Sequence, residues 1–289
     1  MNELRQRIFK NKIQNSKRIV IKIGSARISG NESETNDFLF NLVEQIKTLK
    51  SKNLEIIIVS SGAISRGKSA IQNLHGSNFA NATLAEKQAL AAIGQGKLMG
   101  MYDQFFKLAN FHTAQVLFGK ADLSNSESYQ NLKNTFNQLI QWNIIPIVNE
   151  NDSTATQELN LGDNDFLSSL VTALTGSDLL VILTGVPGFL IENQVVSLVD
   201  EVSDSLKKYA LGPSLHGTGG MLSKLNASEF LMKYSIPTAI LSGVEPNSII
   251  RFFQGEEVGT LISNEKPITK PTETDIAINF SEISMRNNS

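Results

Sequence analysis

Cysteine is absent from all 289 residues. That excludes disulfides, thiolate metal sites and a cysteine nucleophile, and it suits a reducing compartment. Histidine is scarce: His75, His112 and His216 lie far apart and match no ligand spacing, so no zinc site is expected. An excess of one charge is also missing. The net charge of −2 at pH 7 leaves no global field to attract nucleic acid. Long apolar runs are lacking too. Leu179 to Ile191 is broken by Gly185, Pro187 and Gly188 and is too short to span a bilayer. Met1 to Arg18 is basic without an apolar segment, unlike a secretory signal. A cytoplasmic protein is expected, with neither membrane nor nucleic acid as partner.

What is present is ordinary globular material. Hydrophobic residues make up 41% and charged residues 19%. The length suits one or two domains with a sizeable core. Arg18 to Gly24 reads as a buried strand, Asn36 to Leu49 as an amphipathic helix, and Leu54 to Val59 as the next strand. That order is a βαβ unit and implies a parallel sheet. Further strands are expected at 113–118, 144–148, 178–184 and 237–241, with helices at 84–110, 128–142, 166–174 and 248–253. Phe189–Ile191 and Val195–Leu198 read as a small hairpin. Within 84–110, Ala85, Ala89, Ala92, Gly96 and Gly100 form a stripe of small residues. It suits close approach of another helix, in this chain or in a second copy. Residues 1–17 read as a short amphipathic extension. Residues 263–289 are polar, with only Ile276 to Phe280 able to pair as a strand.

The chemistry concentrates between Asn149 and Asp165. Asn149-Glu-Asn-Asp152 and Gly162-Asp-Asn-Asp165 crowd acids and amides between an apolar strand and an apolar helix. In open α/β sheets, ligands sit where strand ends meet helix starts. Asp163 would serve equally as a helix N-cap, but a cap does not require so many acids and amides. Lys22 lies between Ile21 and Ile23, and a lysine on a buried strand needs a partner. It precedes Gly24, where backbone can approach a ligand. Gly217-Thr-Gly-Gly-Met-Leu-Ser-Lys224 is a second glycine loop leading into a helix. Gly62 to Ser69 satisfies the P-loop pattern. However, only Ala70 to His75 remain of its helix and no Walker-B strand is found, so Lys68 is expected within a helix instead.

Phosphoryl transfer needs cations around the moving group and donors that hold the phosphates in line. Lys22 and Lys224 are the candidate cations, with Asp165 between them as organiser. No base-plus-nucleophile set is found. An acceptor that is already ionised, such as a carboxylate of pKa about 4.3, needs no base. Asp152 with Asn149 and Asn164 suits an ammonium group. A small amino acid phosphorylated on its side-chain carboxylate fits these parts.

These residues carry a resemblance. Val20–Ser25, Val59–Ile64, Lys87–Gln95, Pro146–Asp152, Gly162–Asp165 and Gly217–Met221 with Lys224 are similar to the motifs of the amino-acid kinases, in family order across residues 18–262. Asn-Glu-Asn-Asp with Gly-Asp-Asn-Asp points to the glutamate-specific branch. The resemblance implies a three-layer α/β/α sandwich with a mainly parallel central sheet, an acceptor lobe at about 18–176 and a nucleotide lobe at about 177–262. It implies Ser61, Gly62, Asn149, Asp152 and Asn164 at glutamate. Lys22, Gly24, Thr184, Gly185, Thr218, Gly219, Gly220, Met221, Leu222, Ser223 and Lys224 fall at ATP, and Lys22, Asp165 and Lys224 at the transfer step. Magnesium would ride mainly on the nucleotide phosphates, with no protein metal site. Proline formation, feedback by proline, hand-over to a glutamyl-phosphate reductase and a homo-oligomer belong to the same expectation. Many members add a PUA domain, for which residues 263–289 are too few.

The chain departs from the family at Gly185, where Thr-Asp is usual at the strand tip, at Ala26, where a second hydroxyl residue is common, and at Leu190, where tyrosine is common. The departures bear on nucleotide affinity or preference more than on the acceptor. The alternatives are another amino-acid kinase acting on a different small carboxylate or on a phosphate, and a glutamate- or proline-binding sensor without turnover, for which Gly185 is the motive.

Overall fold

In a computed structural model, the structure describes residues 3–75, 79, 81–119, 122–123, 125–154, 164–211 and 220–276. The strands are β1 (Arg18–Ile23), β2 (Glu55–Ser60), β3 (Thr113–Phe118), β4 (Ile145–Glu150), β5 (Leu179–Thr184), β6 (Leu190–Ile191), β7 (Gln194–Val195), β8 (Leu198–Val199), β9 (Thr238–Ser242) and β10 (Thr260–Ile262). The helices are α1 (Glu3–Ile8), α2 (Ser25–Ile28), α3 (Glu32–Lys50), α4 (Ala63–His75), α5 (Leu84–Leu108), α6 (Ser126–Gln141), α7 (Asn164–Leu174), α8 (Asp204–Tyr209), α9 (Met221–Met232) and α10 (Ser248–Phe253). None of the described helices is long and apolar enough to cross a membrane.

An eight-stranded sheet runs β3-β4-β2-β1-β5-β9-β10-β8. All neighbours are parallel except β9 and β10. Helices cover both faces, which is why the strands read as unbroken apolar runs rather than alternating ones. On one face Ile19, Ile21 and Ile23 pack with Leu42 and Ile46 of α3, Leu98, Tyr102 and Phe106 of α5, and Phe252 of α10. On the other, Val20, Ile57 and Val148 pack with Phe136 of α6, Leu167 and Leu170 of α7, and Phe230 of α9. The expected three-layer sandwich is therefore present.

Helices hand over to strands by a repeated turn. Asn53, Asn110, Asn143, Gly176 and Ser235 follow α3, α5, α6, α7 and α9 with φ near +60°. In each case the next residue's N–H reaches back to a carbonyl five residues earlier, as Leu54 does to Leu49 and Ile144 to Leu139. This is the left-handed helix stop that asparagine and glycine tolerate best. It aims each strand so that its carboxyl end arrives at the same rim of the sheet.

Several details differ from the sequence expectation. α3 starts earlier than Asn36, because Asn31 caps it by accepting from Ser33 N–H. The hairpin is shorter: β6 and β7 meet across Glu192 and Asn193, both at positive φ, while Leu198–Val199 leaves to join β10. Ile276 is buried in a helical turn rather than in a strand, and the rest of that expected strand lies outside the described residues. The extension at 1–17 is firmly docked. Arg5 donates to the carbonyls of Ser197, Val258 (2.6 Å) and Gly259 (3.0 Å). Lys12 donates to Ser235 O at 2.8 Å, and burial lowers its pKa to about 8.

The small-residue stripe is also corrected. Ala85, Ala89, Ala92, Gly96 and Gly100 face outward, and a Cβ at Gly96 or Gly100 would meet nothing within 4 Å. The close approach within the chain is made by Gly94 and Gly67. A Cβ on Gly94 would lie 1.7 Å from Ala63 O, and one on Gly67 1.9 Å from Leu90 O. Gly67 thus lets α4 touch α5 inside a helix; it cradles no phosphate, and the P-loop pattern is accidental.

Candidate active site

β1 is the switch point of the sheet: β2 lies on one side of it and β5 on the other. Ligands gather at the carboxyl ends of strands at such a point. Lys22 sits there, beside Val59 and Ile182, only 4% exposed. Strand alternation turns it toward the α7 and α9 layer, with Val20, away from the isoleucines on either side.

Asp165 and Asn164 open α7, and these adjacent residues reach in different directions. Asp165 is fully buried. Its Oδ1 pairs with Lys22 Nζ, and its Oδ2 lies 2.9 Å from Lys224 Nζ in the first turn of α9. Ser223 Oγ also lies 2.7 Å from that Oδ2 and 2.7 Å from Gly220 O. Burial pushes the Asp165 carboxyl up, but Lys22 and then Lys224 outweigh it and hold its pKa below the ordinary value. The trio carries one net positive charge with almost no access to water. Such a site disfavours being empty and favours an anion.

Asn164 faces the acceptor residues. Its Nδ2 donates to Ser61 Oγ at 2.7 Å and to Asn149 Oδ1 at 3.4 Å. Ser61 and Gly62 follow β2, and Gly62 has φ +105°, a conformation that favours glycine. It lets the chain turn from the strand straight into α4. Asn149 is 1% exposed near the end of β4, and its Oδ1 accepts from Glu150 N–H at 3.0 Å. Asn164 Oδ1 is buried with no hydrogen-bond partner among the described residues. A buried acceptor left open costs free energy until a donor arrives. Asp152, two residues beyond β4, is half-buried, and burial raises its pKa to about 6.

The nucleotide candidates are only partly described. Gly220, Met221, Leu222 and Ser223 are half-buried around the α9 start, whereas Thr218 and Gly219 lie outside the described residues. Gly162, Asp163 and Glu158 lie outside them too. Gly24 has an extended φ of −72° and precedes α2, so its place does not depend on being glycine. Thr184 ends β5, and Gly185 after it is exposed, with room for a Cβ. The carboxylate that the resemblance leads one to expect here is absent without a steric reason.

Two residues were not foreseen. Gln95 of α5 accepts from Asn149 Nδ2 at 3.0 Å. It closed a quoted motif, but nothing in its spacing announced the contact. Arg27 of α2 rests its Cδ where a Cβ on Gly243 would be, 3.4 Å away, beside Leu183 and Thr184. Its Nε is buried without a hydrogen-bond partner among the described residues. A lone arginine in a short polar segment gives no sequence signal. A cavity of about 570 Å³ with Lys50, Phe111 and Asn143 in its wall opens at the amino ends of the strands instead. It gathers no set of groups comparable to the lysine trio, so the chemistry is assigned from the trio and the amides.

Comparison with known proteins agrees with this geometry. The family described as "Amino acid kinase family" matches residues 17–242. A glutamate 5-kinase from Enterococcus faecalis is 39% identical over 266 residues, 88% of this chain and 97% of that protein. One from Maridesulfovibrio salexigens is 36% identical over 267 residues, 89% of this chain and 70% of that protein. Among solved structures, a Giardia carbamate kinase aligns with TM-score 0.61 at 16% identity, over 87% of this chain and all of that one. A UMP kinase from Ureaplasma parvum aligns with TM-score 0.57 at 17% identity, over 86% of this chain and all of that one. At such identities these two speak for the fold alone.

Proposed function

The chain belongs to the amino acid kinase family, and from that premise we propose that it is a glutamate 5-kinase, transferring the γ-phosphoryl group of ATP to the side-chain carboxylate of L-glutamate as the first step toward proline. The observation that carries the reading is the first turn of α7. Asn164 joins Ser61 and Asn149, while Asp165 joins Lys22 and Lys224. One rigid turn therefore fixes an amino-acid pocket next to a phosphate-charge site.

Each group then has a task. Asn164 Oδ1 and ionised Asp152 take the α-ammonium. Ser61, whose oxygen already accepts from Asn164, keeps its proton for a substrate carboxylate. The side-chain carboxylate attacks the γ-phosphorus directly and needs no base. Its new O–P bond forms as the β–γ bridging O–P bond breaks, and ADP leaves with that bridging oxygen. Lys22 and Lys224 hold charge on the transferring group, positioned by Asp165. Asp165 already serves both lysines, and among the described residues no cluster of acids or histidines suits a metal. Magnesium is therefore placed on the nucleotide's own phosphates, and no step is assigned to it. We assign residues 18–176 to the acceptor half and 177–262 to the nucleotide half, and we place the protein in the cytoplasm. The exposed small-residue face of α5 is the contact we propose for a homo-oligomer. Inhibition by proline at the acceptor pocket and hand-over of the product to a reductase complete the reading.

The deciding assay is ADP release from Mg-ATP with L-glutamate and hydroxylamine, with D-glutamate, aspartate and N-acetylglutamate as controls. Formation of γ-glutamyl hydroxamate with L-glutamate supports the reading. No turnover with L-glutamate, or faster turnover with a control acceptor, overturns it.

Two predictions follow from the edges of the site. Asp152 must be ionised to attract the ammonium, so kcat/KM for glutamate should fall as pH drops through about 6. Its pKa is raised in the folded protein, so ionisation opposes folding and protonation relieves that cost. Asp152→Asn should accordingly raise the melting temperature at neutral pH, abolish this acid limb and raise the glutamate KM. An unchanged acid limb in that variant would move Asp152 out of the acceptor pocket. Arg27, with its unused Nε at the tips of β5 and β9, is expected to contact the nucleotide. Arg27→Ala should raise the ATP KM several-fold and spare the glutamate KM; the reverse split would disprove the contact.

A further inference from the structure

The amides around the acceptor pocket form a chain with a single direction. Asn164 Nδ2 donates to Asn149 Oδ1 (3.4 Å), Asn149 Nδ2 donates to Gln95 Oε1 (3.0 Å), and Gln95 Nε2 donates to Gln115 Oε1 (3.2 Å). The direction follows from chemistry. A backbone N–H only donates, so Glu150 N–H fixes Oδ1 as the side of Asn149 that it meets. Nδ2 of Asn149 must then turn to Gln95, whose carbonyl oxygen is the group that receives it. With Asn149 held, Asn164 presents its NH2 to Asn149 and Ser61. Its Oδ1 is left as the open acceptor. Had the chain run the other way, Asn164 would present a donor, and the pocket would suit a carboxylate in place of an ammonium.

We infer that Gln95 is a positioning residue for substrate choice: by holding Asn149, it keeps Asn164 Oδ1 aimed as the acceptor that recognises an amino group. This inference rests on the acceptor pocket proposed above. Gln95 is well mounted for the task. It follows Gly94, whose contact with Ala63 O ties α5 to the start of α4, next to the Ser61–Gly62 turn. Gln115 on the exposed side of β3 completes the chain but ends at solvent, so its removal should matter less.

The test uses the full chain and two acceptors: L-glutamate and glutarate, which has the same carboxylates but no amino group. Gln95→Leu removes the acceptor for Asn149, Gln95→Glu keeps an acceptor, and Gln95→Lys offers only donors. Loss of one part-buried hydrogen bond that holds the pocket corresponds to roughly a tenfold effect at most. Gln95→Leu should therefore raise the glutamate KM by up to about tenfold and spare the ATP KM and kcat. The preference for glutamate over glutarate in kcat/KM should shrink by a similar factor. Gln95→Glu should stay near wild type, Gln95→Lys should be the worst, and Gln115→Leu should change little. An undiminished preference in Gln95→Leu, or equal damage from Glu and Leu, would overturn the inference. Should Gln95→Leu fail to fold, the ranking of Glu against Lys carries the test. Wild-type protein that does not phosphorylate glutamate would instead defeat the pocket assignment itself, so the two failures are told apart.

Discussion

Lys224→Met is expected to lower kcat on the order of 10³-fold while ATP and glutamate still bind. The reason is the charge balance of the buried trio. With both lysines it is +1, matched to a phosphoryl group that gathers negative charge as it transfers. Without Lys224 the remaining Lys22–Asp165 pair is neutral, so the protein should still fold. Asp165→Asn is expected to behave differently. It removes the carboxylate that lies between two ammonium groups only 4% and 6% exposed. Breaking such a buried pair costs about 3–5 kcal/mol, so this variant should lose stability as well as activity. Single-turnover measurements with calorimetric binding separate the two outcomes. Full activity in folded Lys224→Met and Lys22→Met proteins would sink the transfer mechanism.

The second large effect concerns two glycines two positions apart in α5. Gly94→Ala places a methyl 1.7 Å from Ala63 O and 2.5 Å from Gly67 N, both backbone atoms that cannot swing aside. Overpacking of this kind costs about 3 kcal/mol, more than the roughly 1 kcal/mol that alanine returns in a helix. Gly96→Ala meets nothing within 4 Å and should gain up to about 1 kcal/mol. Opposite signs in urea unfolding are the expected result. Equal signs would mean that α4 and α5 are not in such close contact. The mass of the same samples in solution tests the proposed contact between copies, since Gly96 lies on the exposed face.

Much of this was legible because the physics left a pattern. Buried parallel strands are apolar throughout, so β1, β2, β4 and β5 stood out, and a lysine amid isoleucines marked its own importance. The acid-and-amide cluster after β4 marked the rim of the sheet. Other features leave no pattern. Size alone does not say which stripe of a helix is buried; the inner face of α5 is Leu90, Ala91, Gly94, Leu98, Tyr102 and Phe106, mostly large residues. The direction of β10 depends on its partner β9, and its three residues carry no sign of it. The docking of residues 1–17 through Arg5 and Lys12 leaves no sign either, because a buried cation satisfied by backbone carbonyls looks, in sequence, like any other cation.

The docking of Arg5 has a consequence for how the molecule comes into being. Its carbonyl partners at Val258 and Gly259 stand 253 and 254 positions further along the chain. β1, at the middle of the sheet, likewise waits for β5. A ribosome therefore releases the first strand long before its second neighbour exists, and the opening helix earlier still. During that interval the edge of β1 that later pairs with β5 has no strand beside it, and Lys22 waits for Asp165. Native closure of the first residues waits until Val258 and Gly259 have been made.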